Sequence, residues 1–282
     1  MLLPENLLII TPFFFKEENL SFLKKTSSHY NSLGKNVFLK VLTNTSKKLD
    51  IDKLSKILKD HKLKFSIHTP NFLGHPFLLP FSHISLMRDS QEEGYSHFMF
   101  IEDDILFTKN NMYYWMKYRN ILKPSSNFYP SFIRIEKNYE NRYVFSDIKK
   151  NYYFLKVPKF KINNNIFINI DRPYQGMYLY DRVLMTEYLN SNAVNPDYGE
   201  GQIREKANLA LTFFNVPKNF YSRNLLLLKN KKLHYGCFIK HLRSNAKNRK
   251  LVGFFRKRLL DESGFTTRCG TVEKDNLIKS IL

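Results

Sequence analysis

The sequence predicts an α/β fold: a doubly wound, mostly parallel sheet flanked by helices in the N-terminal half, then a mixed C-terminal half. Three observations lead there. Short apolar runs alternate with segments of helical spacing over the first hundred residues, the pattern of right-handed βαβ units. Hydrophobic residues make up 43% of 282, with 25 Phe and 17 Tyr, enough to bury a core and to exclude a disordered basic tail. No flexible linker and no internal repeat interrupts the pattern, so residues 1–245 read as one continuous domain and 246–282 as a basic helical extension.

The elements follow in order. Residues 7–15 (LLIITPFFF) form a short apolar run broken by Pro12, the mark of a buried strand. Residues 17–33 carry Leu20 and Leu23 and stop at Gly34, which predicts a helix. Residues 37–45 (VFLKVLTNT) alternate and are β-branched, predicting a second strand. Residues 52–61 place Leu54, Ile57 and Leu58 on one helical face, and 63–68 (LKFSIH) make a third strand. Residues 77–94 read as one longer helix, with Leu78, Phe81, Ile84 and Leu86 mostly inward. Residues 97–101 (HFMFI) give a fourth strand. Beyond Pro124 the pattern changes to short strands at 131–135, 152–157 and 166–170, separated by Asn/Lys-rich turns such as 161–165. Helices are expected at 177–189 and 201–211.

Several classes are excluded. No G-x-G-x-x-G or G-x-x-x-x-G-K-[ST] occurs, against a dinucleotide-binding domain or a P-loop NTPase. Cys237 and Cys269 are too few for a disulfide framework or a cysteine-rich zinc site and read as free thiols. The longest pure apolar runs fall far short of the roughly 18 residues that a membrane helix needs. The N-terminus, interrupted by Pro4, Glu5 and Asn6, lacks a basic region and a cleavage site. A cytoplasmic location follows as the expectation.

Charge narrows the partners. There are 45 Lys+Arg against 25 Asp+Glu, a net charge of +20. Such an excess favours nucleic acid, an anionic membrane surface or phosphorylated substrates. Eleven Lys and Arg and no acid fall in residues 229–260. Within 247–260, Leu251, Phe254, Phe255 and Leu259 share a helical face among Lys250, Arg256, Lys257 and Arg258. That pattern suits a basic amphipathic helix on an anionic bilayer, or a terminal helix packed on its own domain. Part of the surplus is also what an AT-rich genome would produce.

The chemistry concentrates at Glu102-Asp103-Asp104, three carboxylates directly after the fourth strand. Side chains at the carboxyl end of a parallel strand face the crevice where ligands bind. Adjacent carboxylates repel and call for a counter-charge, which Mg²⁺ or Mn²⁺ supplies with one or two carboxylates plus substrate phosphates. The plainer reading is an acidic helix cap or turn.

A βαβαβα run ending in an apolar strand capped by this triplet resembles the GT-A glycosyltransferases, with their Rossmann-like sheet and D-x-D metal motif, here beginning with Glu102. The resemblance implies a nucleoside-diphosphate sugar donor, Asp104 as the best metal ligand, and Glu102 or Asp103 on the ribose or on the metal. It implies that Thr11-Pro12-Phe13 and Thr43 approach the nucleoside and that Arg88 reaches the diphosphate. Tyr174-Gln175-Gly176 corresponds to the glycine-containing loop that shapes the sugar and acceptor pocket, or to an ordinary turn.

Inverting members carry an acidic base before a helix. Glu200 is the first candidate here, with Asp197 and Glu205 behind it, although the usual Glu-Asp pair is Glu200-Gly201. A C-terminal histidine often completes the metal site. His241 fits best and His234 is the alternative, with Lys240 and Arg243 beside it to neutralise diphosphate. The implied acceptor is a saccharide or lipid-linked saccharide of a cell-surface polysaccharide or lipooligosaccharide, met by an enzyme peripheral on the inner face of the membrane. The competing reading is a metal-dependent nucleic-acid-binding protein or nuclease. Against it, the basic residues do not flank the triplet. A noncatalytic membrane-surface or partner-binding module is a third reading, and it leaves the triplet unexplained.

Overall fold

The computed structural model describes residues 3–71, 74–125, 127–137, 143–146, 157–171, 173–199, 202–230 and 232–243. The basic segment 247–260 and Cys269 lie outside them, as do Glu200 and most of the strand expected at 152–157. The chain forms two compact units. One holds Leu3–Lys109 and Gly176–Leu211, the other the described residues of 110–175 and of 212–243.

The first unit is built on β1 (Asn6–Phe13), β2 (Asn36–Thr43), β3 (Lys64–His68) and β4 (His97–Ile101), which are parallel to one another where they pair. Their order is β3-β2-β1-β4, and Met177–Asp181 closes the β4 edge antiparallel. Leu7, Leu8, Ile9 and Ile10 of β1 are all fully buried. A central parallel strand covered on both faces needs such an unbroken apolar run. Each side chain contributes roughly 1.5–3 kcal/mol by leaving water.

The flanking helices show how local chemistry sets boundaries. In α1 (Leu20–Ser27) Leu23 turns inward, and α2 (Lys48–Asp60) buries Leu54 and Leu58, four apart on one face. The single helix expected at 77–94 is instead a 3-10 segment (Pro76–Ser82), α3 (His83–Asp89) and a second 3-10 turn (Ser90–Glu93). Pro80 lacks an N–H and clashes with the preceding turn, which breaks a continuous α-helix, and Gly94 ends the run in the left-handed region at φ 77°. The helix expected at 177–189 is also corrected. Met177–Asp181 is a strand, and Asp181 accepts from the Leu184 N–H at 3.0 Å to start the helix Arg182–Leu189.

In the second unit, the strand Asn224–Lys229 lies between Lys232–Leu233 and Asn165–Asn169, and Lys159–Ile162 adds to the latter. Asn163 and Asn164 turn the Lys159–Ile162/Asn165–Asn169 hairpin at φ 45° and 61°. Two successive left-handed residues match the strands' own twist. Separately, Ile133–Lys137 pairs in parallel with Phe238–His241 and antiparallel with Tyr143–Phe145. The helix Lys109–Leu122, which the sequence reading did not anticipate, buries Met112, Trp115 and Leu122.

Candidate functional site

The acidic turn is held by backbone and by neighbouring side chains of its own unit. The Glu102 N–H donates to the Gly176 carbonyl at 3.0 Å, and the Ile105 N–H to the Glu102 carbonyl at 3.2 Å. Gly176 has φ 68°, a conformation that favours glycine. Asn208, buried on the helix Ile203–Leu209, donates from its amide to Glu102 Oε1 at 3.0 Å. Beneath the turn, the Thr26 hydroxyl lies 3.1 Å from the Asp103 carbonyl.

Tyr30 lies beside Thr26, fully buried, with its hydroxyl 3.4 Å from Thr11 Oγ1. Burial pushes this phenol up to about 12. Hydrogen bonds from Thr11 and Thr26 oppose the rise, and the Asp103 and Asp104 charges add to it. Asp104 is buried, while Glu102 and Asp103 are half-buried. The first unit thus places two aspartates over a hydroxyl cluster at the carboxyl edge of β1 and β4.

The remaining expected donor residues in this unit lie as follows. Thr11, Pro12 and Phe13 are buried within β1. Thr43 ends β2, fully buried, and its hydroxyl has no hydrogen-bond partner among the described residues. Arg88, exposed on α3, donates to the Leu189 carbonyl at 3.4 Å, at the carboxyl end of the helix Arg182–Leu189. Asp197 is exposed in a turn whose N–H donates to Asn195 Oδ1 at 2.9 Å. Glu205 is half-buried in the first turn of Ile203–Leu209, where a carboxylate complements the helix dipole.

The second unit gathers the others. The Arg134 guanidinium lies over the Tyr174 ring at 4.5 Å, and Gln175 Oε1 accepts from the Phe132 N–H at 2.8 Å. Lys137 and Lys240 both approach the Tyr143 ring, at 5.6 and 5.1 Å, and partial burial lowers the Lys240 pKa. Arg243 is exposed. His241 is buried with Nδ1 3.3 Å from Oε2 of Glu136, itself 1% exposed. His234 is stacked on Tyr114 and Tyr235, and its Nδ1 accepts from the Gly236 N–H at 3.0 Å. Burial, then Lys229 and Lys117, lowers its pKa to about 4. That Nδ1 therefore serves a structural turn.

Sequence reasoning missed Glu136, Asn208, Thr26 and Tyr30. Each meets its partner only through the fold, and none stands in a recognisable motif. Among the described residues, no three His, Cys, Asp or Glu side chains form a ready cage for a metal. A Mg²⁺ or Mn²⁺ carried on phosphates needs only one or two carboxylates. Asp104, buried, and Asp103, half-buried, supply that number, so the residues present fit such an ion.

Fold and site together define an α/β protein with an acidic turn at the carboxyl edge of its parallel sheet. No protein-family model and no curated protein matches the chain. Among solved structures, two crystal structures of S. aureus TarS, one of residues 1–349, are similar to it at 13% identity and a TM-score of 0.40, each over 73% of this chain. The chain spans 34% and 56% of the lengths of those two chains. No described helix is long and apolar enough to cross a membrane.

Proposed function

We propose that the chain is a glycosyltransferase that takes a sugar from a nucleoside-diphosphate donor, with Mn²⁺ or Mg²⁺, and passes it to a saccharide or lipid-linked saccharide. One observation carries the reading: Glu102-Asp103-Asp104 follows β4 at the carboxyl edge of a parallel sheet, where open α/β folds bind ligands. The GT-A resemblance of the sequence supplies the chemistry.

In this reading Asp104 and Asp103 hold the metal, and Glu102 contacts the ribose or the metal through water. The metal, when bound, acts as a Lewis acid on the departing diphosphate. The chain's residues do the rest. Asn208 and Thr26 fix the turn, so that its carboxylates need little reorganisation when the donor arrives. Thr11, Pro12, Phe13 and Thr43 line the nucleoside end, and Arg88 faces diphosphate. Tyr174, Gln175 and Gly176 shape the sugar and acceptor pocket, with Lys240 and Arg243 as cations for phosphate. Glu200 takes the proton of the acceptor hydroxyl if the reaction inverts, with Asp197 as the alternative. In this reading the basic and apolar pattern of 247–260 supports work at an anionic membrane surface on the cytoplasmic face.

The test is a thermal-shift panel of nucleoside diphosphates and nucleotide sugars, with and without Mn²⁺. A ligand that binds the native state alone raises the midpoint by mass action. The expected result is a manganese-dependent shift with one nucleotide that Asp104→Ala abolishes in a folded protein. No shift with any nucleotide, beside a shift with DNA or RNA, overturns the proposal in favour of a nucleic-acid protein.

A further inference from the structure

We propose that the first unit binds internal water between the Nε2 nitrogen of His83 and the hydroxyls of Tyr178 and Tyr188, as a fixed part of its fold. The inference stands apart from the transfer reaction and needs neither metal nor nucleotide.

The strand Met177–Asp181 and β4 form an antiparallel ribbon in which Tyr178 pairs with Phe100 and Tyr180 with Phe98. Tyr178 and Tyr180, two residues apart, share one face, and their rings stack at 4.7 Å between centroids. α3 and the helix Arg182–Leu189 bring His83 and Tyr188 to these rings. The His83 ring lies 4.3 Å from Phe100, 5.7 Å from Tyr178 and 6.2 Å from Tyr188. The Tyr178 and Tyr188 rings are 5.4 Å apart. His83 and Tyr188 are fully buried, and Tyr178 is 3% exposed.

The polar atoms of these rings are not alike. The Tyr180 hydroxyl accepts from the Leu211 N–H at 3.0 Å. His83 Nδ1 faces the Pro80 carbonyl at 2.5 Å. A carbonyl only accepts, so Nδ1 carries the proton and Nε2 of the neutral ring is an acceptor. Nε2 and the hydroxyls of Tyr178 and Tyr188 are buried and have no hydrogen-bond partner among the described residues.

A buried polar atom left unpaired gives up its bonds to solvent without return, and here three such atoms sit on neighbouring rings. Internal water occupies sites where a few polar groups would otherwise go unsatisfied. The roles match: water donates to Nε2 and accepts from the phenols. No charge enters the site. Arg88, whose charge reaches Tyr188, is itself exposed and donates to the Leu189 carbonyl. Two residues before Tyr178, the Gly176 carbonyl accepts from the Glu102 N–H at 3.0 Å. The water thus ties α3 and the helix Arg182–Leu189 to the ribbon that ends in the acidic turn.

The experiment uses the full chain. Oxygen-17 magnetic relaxation dispersion counts long-lived internal waters, and the double variant Tyr178→Phe/Tyr188→Phe should lack about one that wild type holds. With ¹⁵N-histidine, His83 being assigned by His83→Phe among the eight histidines, Nε2 should resonate as a hydrogen-bonded acceptor. In urea, Tyr178→Phe and Tyr188→Phe should each lower the unfolding midpoint, because the water loses a partner.

Dry rings predict the reverse. Deleting hydroxyls that bond nothing leaves the midpoint where it was or raises it. Midpoints that hold or rise in both single variants, with a dispersion amplitude unaltered by the double change, overturn the proposal. So does a wild-type Nε2 that resonates as a free lone pair, a measurement that needs no tyrosine variant and decides the matter should the double variant not fold.

Discussion

The amide of Asn208 reaches Oε1 of Glu102 at 3.0 Å across 106 residues of sequence, and the same nitrogen lies 3.2 Å from the Arg204 carbonyl of its own helix. Helix and acidic turn are thereby tied through one buried side chain. Hydrogen bonds to a charged group contribute about 1.5–3 kcal/mol. Asn208→Leu keeps the branched shape and removes the donor. The expected outcome is a folded protein whose manganese-dependent affinity for its nucleoside diphosphate falls by about tenfold, measured by titration calorimetry. Unchanged affinity would show that Glu102 needs no such support.

The same corner carries backbone strain. Ala210, just beyond the helix Ile203–Leu209, has φ 43° and ψ −121°. The next N–H, of Leu211, donates to the Tyr180 hydroxyl at 3.0 Å. A non-glycine residue in such a region costs about 1–3 kcal/mol. Glycine there loses about 0.8 kcal/mol of methyl burial and some backbone entropy, so Ala210→Gly should be close to neutral. Ala207, fully buried in the helix proper, has no strain to release, and Ala207→Gly should cost about 2 kcal/mol. Urea unfolding of the two variants checks the contrast. Equal losses would mean that Ala210 is unstrained.

What could be read from the sequence was whatever depends on neighbours along the chain. The runs 7–15, 37–45 and 97–101 announce parallel strands because both faces are largely buried, whereas 63–68, at the sheet edge and at most half-buried, shows through its short alternation. The acidic triplet stands out because it follows such a run. Met177–Asp181 was hidden because MYLYD continues into RVLMTEYL without a breaker, and only pairing with β4 makes it a strand. Lys109–Leu122 was hidden by its Asn and Tyr content, poor in helix formers. The supports of the site were out of reach for a different reason. Thr26 and Asp103 are 77 residues apart and Glu136 and His241 are 105, and no local pattern encodes such meetings.

Acid stability should report His83. It is fully buried, lies 4.3 Å from the Phe100 ring between ring centroids, and has Nδ1 2.5 Å from the Pro80 carbonyl. Burial lowers its pKa from 6.5 to about 4, against a small rise from the Pro80 contact. The folded state therefore holds it neutral while the unfolded state takes a proton below 6.5. Stability is fully present above that pH and is lost as pH falls toward 4, by about 1.4 kcal/mol per unit at most. Tyr178 and Tyr188 also face the ring, and burial raises both phenols, so neither titrates in this window. His83→Phe should flatten the acid limb between pH 6.5 and 4 in urea titrations. Part of the slope should survive through His234, which is also lowered to about 4. An acid limb identical to wild type would assign the proton uptake elsewhere.

The hydroxyl cluster under the acidic turn makes the last prediction. Thr26 Oγ1 lies 3.1 Å from the Asp103 carbonyl, but also 3.1 and 3.2 Å from the Phe22 and Leu23 carbonyls. One hydroxyl proton serves one acceptor at a time. The Tyr30 hydroxyl, bonded to the Thr11 and Thr26 hydroxyls, belongs to the same network. Groups coupled in this way do not contribute additively. Thr26→Val and Tyr30→Phe should each cost about 1 kcal/mol of stability. The double variant should cost clearly less than the sum, because the first change already breaks the chain of hydroxyls. If Thr26 steadies the Asp103 carbonyl, Thr26→Val should also weaken manganese-dependent nucleotide binding several-fold, and Ser21→Ala, which removes a hydroxyl bonded to the Glu18 carbonyl at the exposed start of α1, should not. Additive losses with unaltered binding would make the cluster a packing feature of α1 alone.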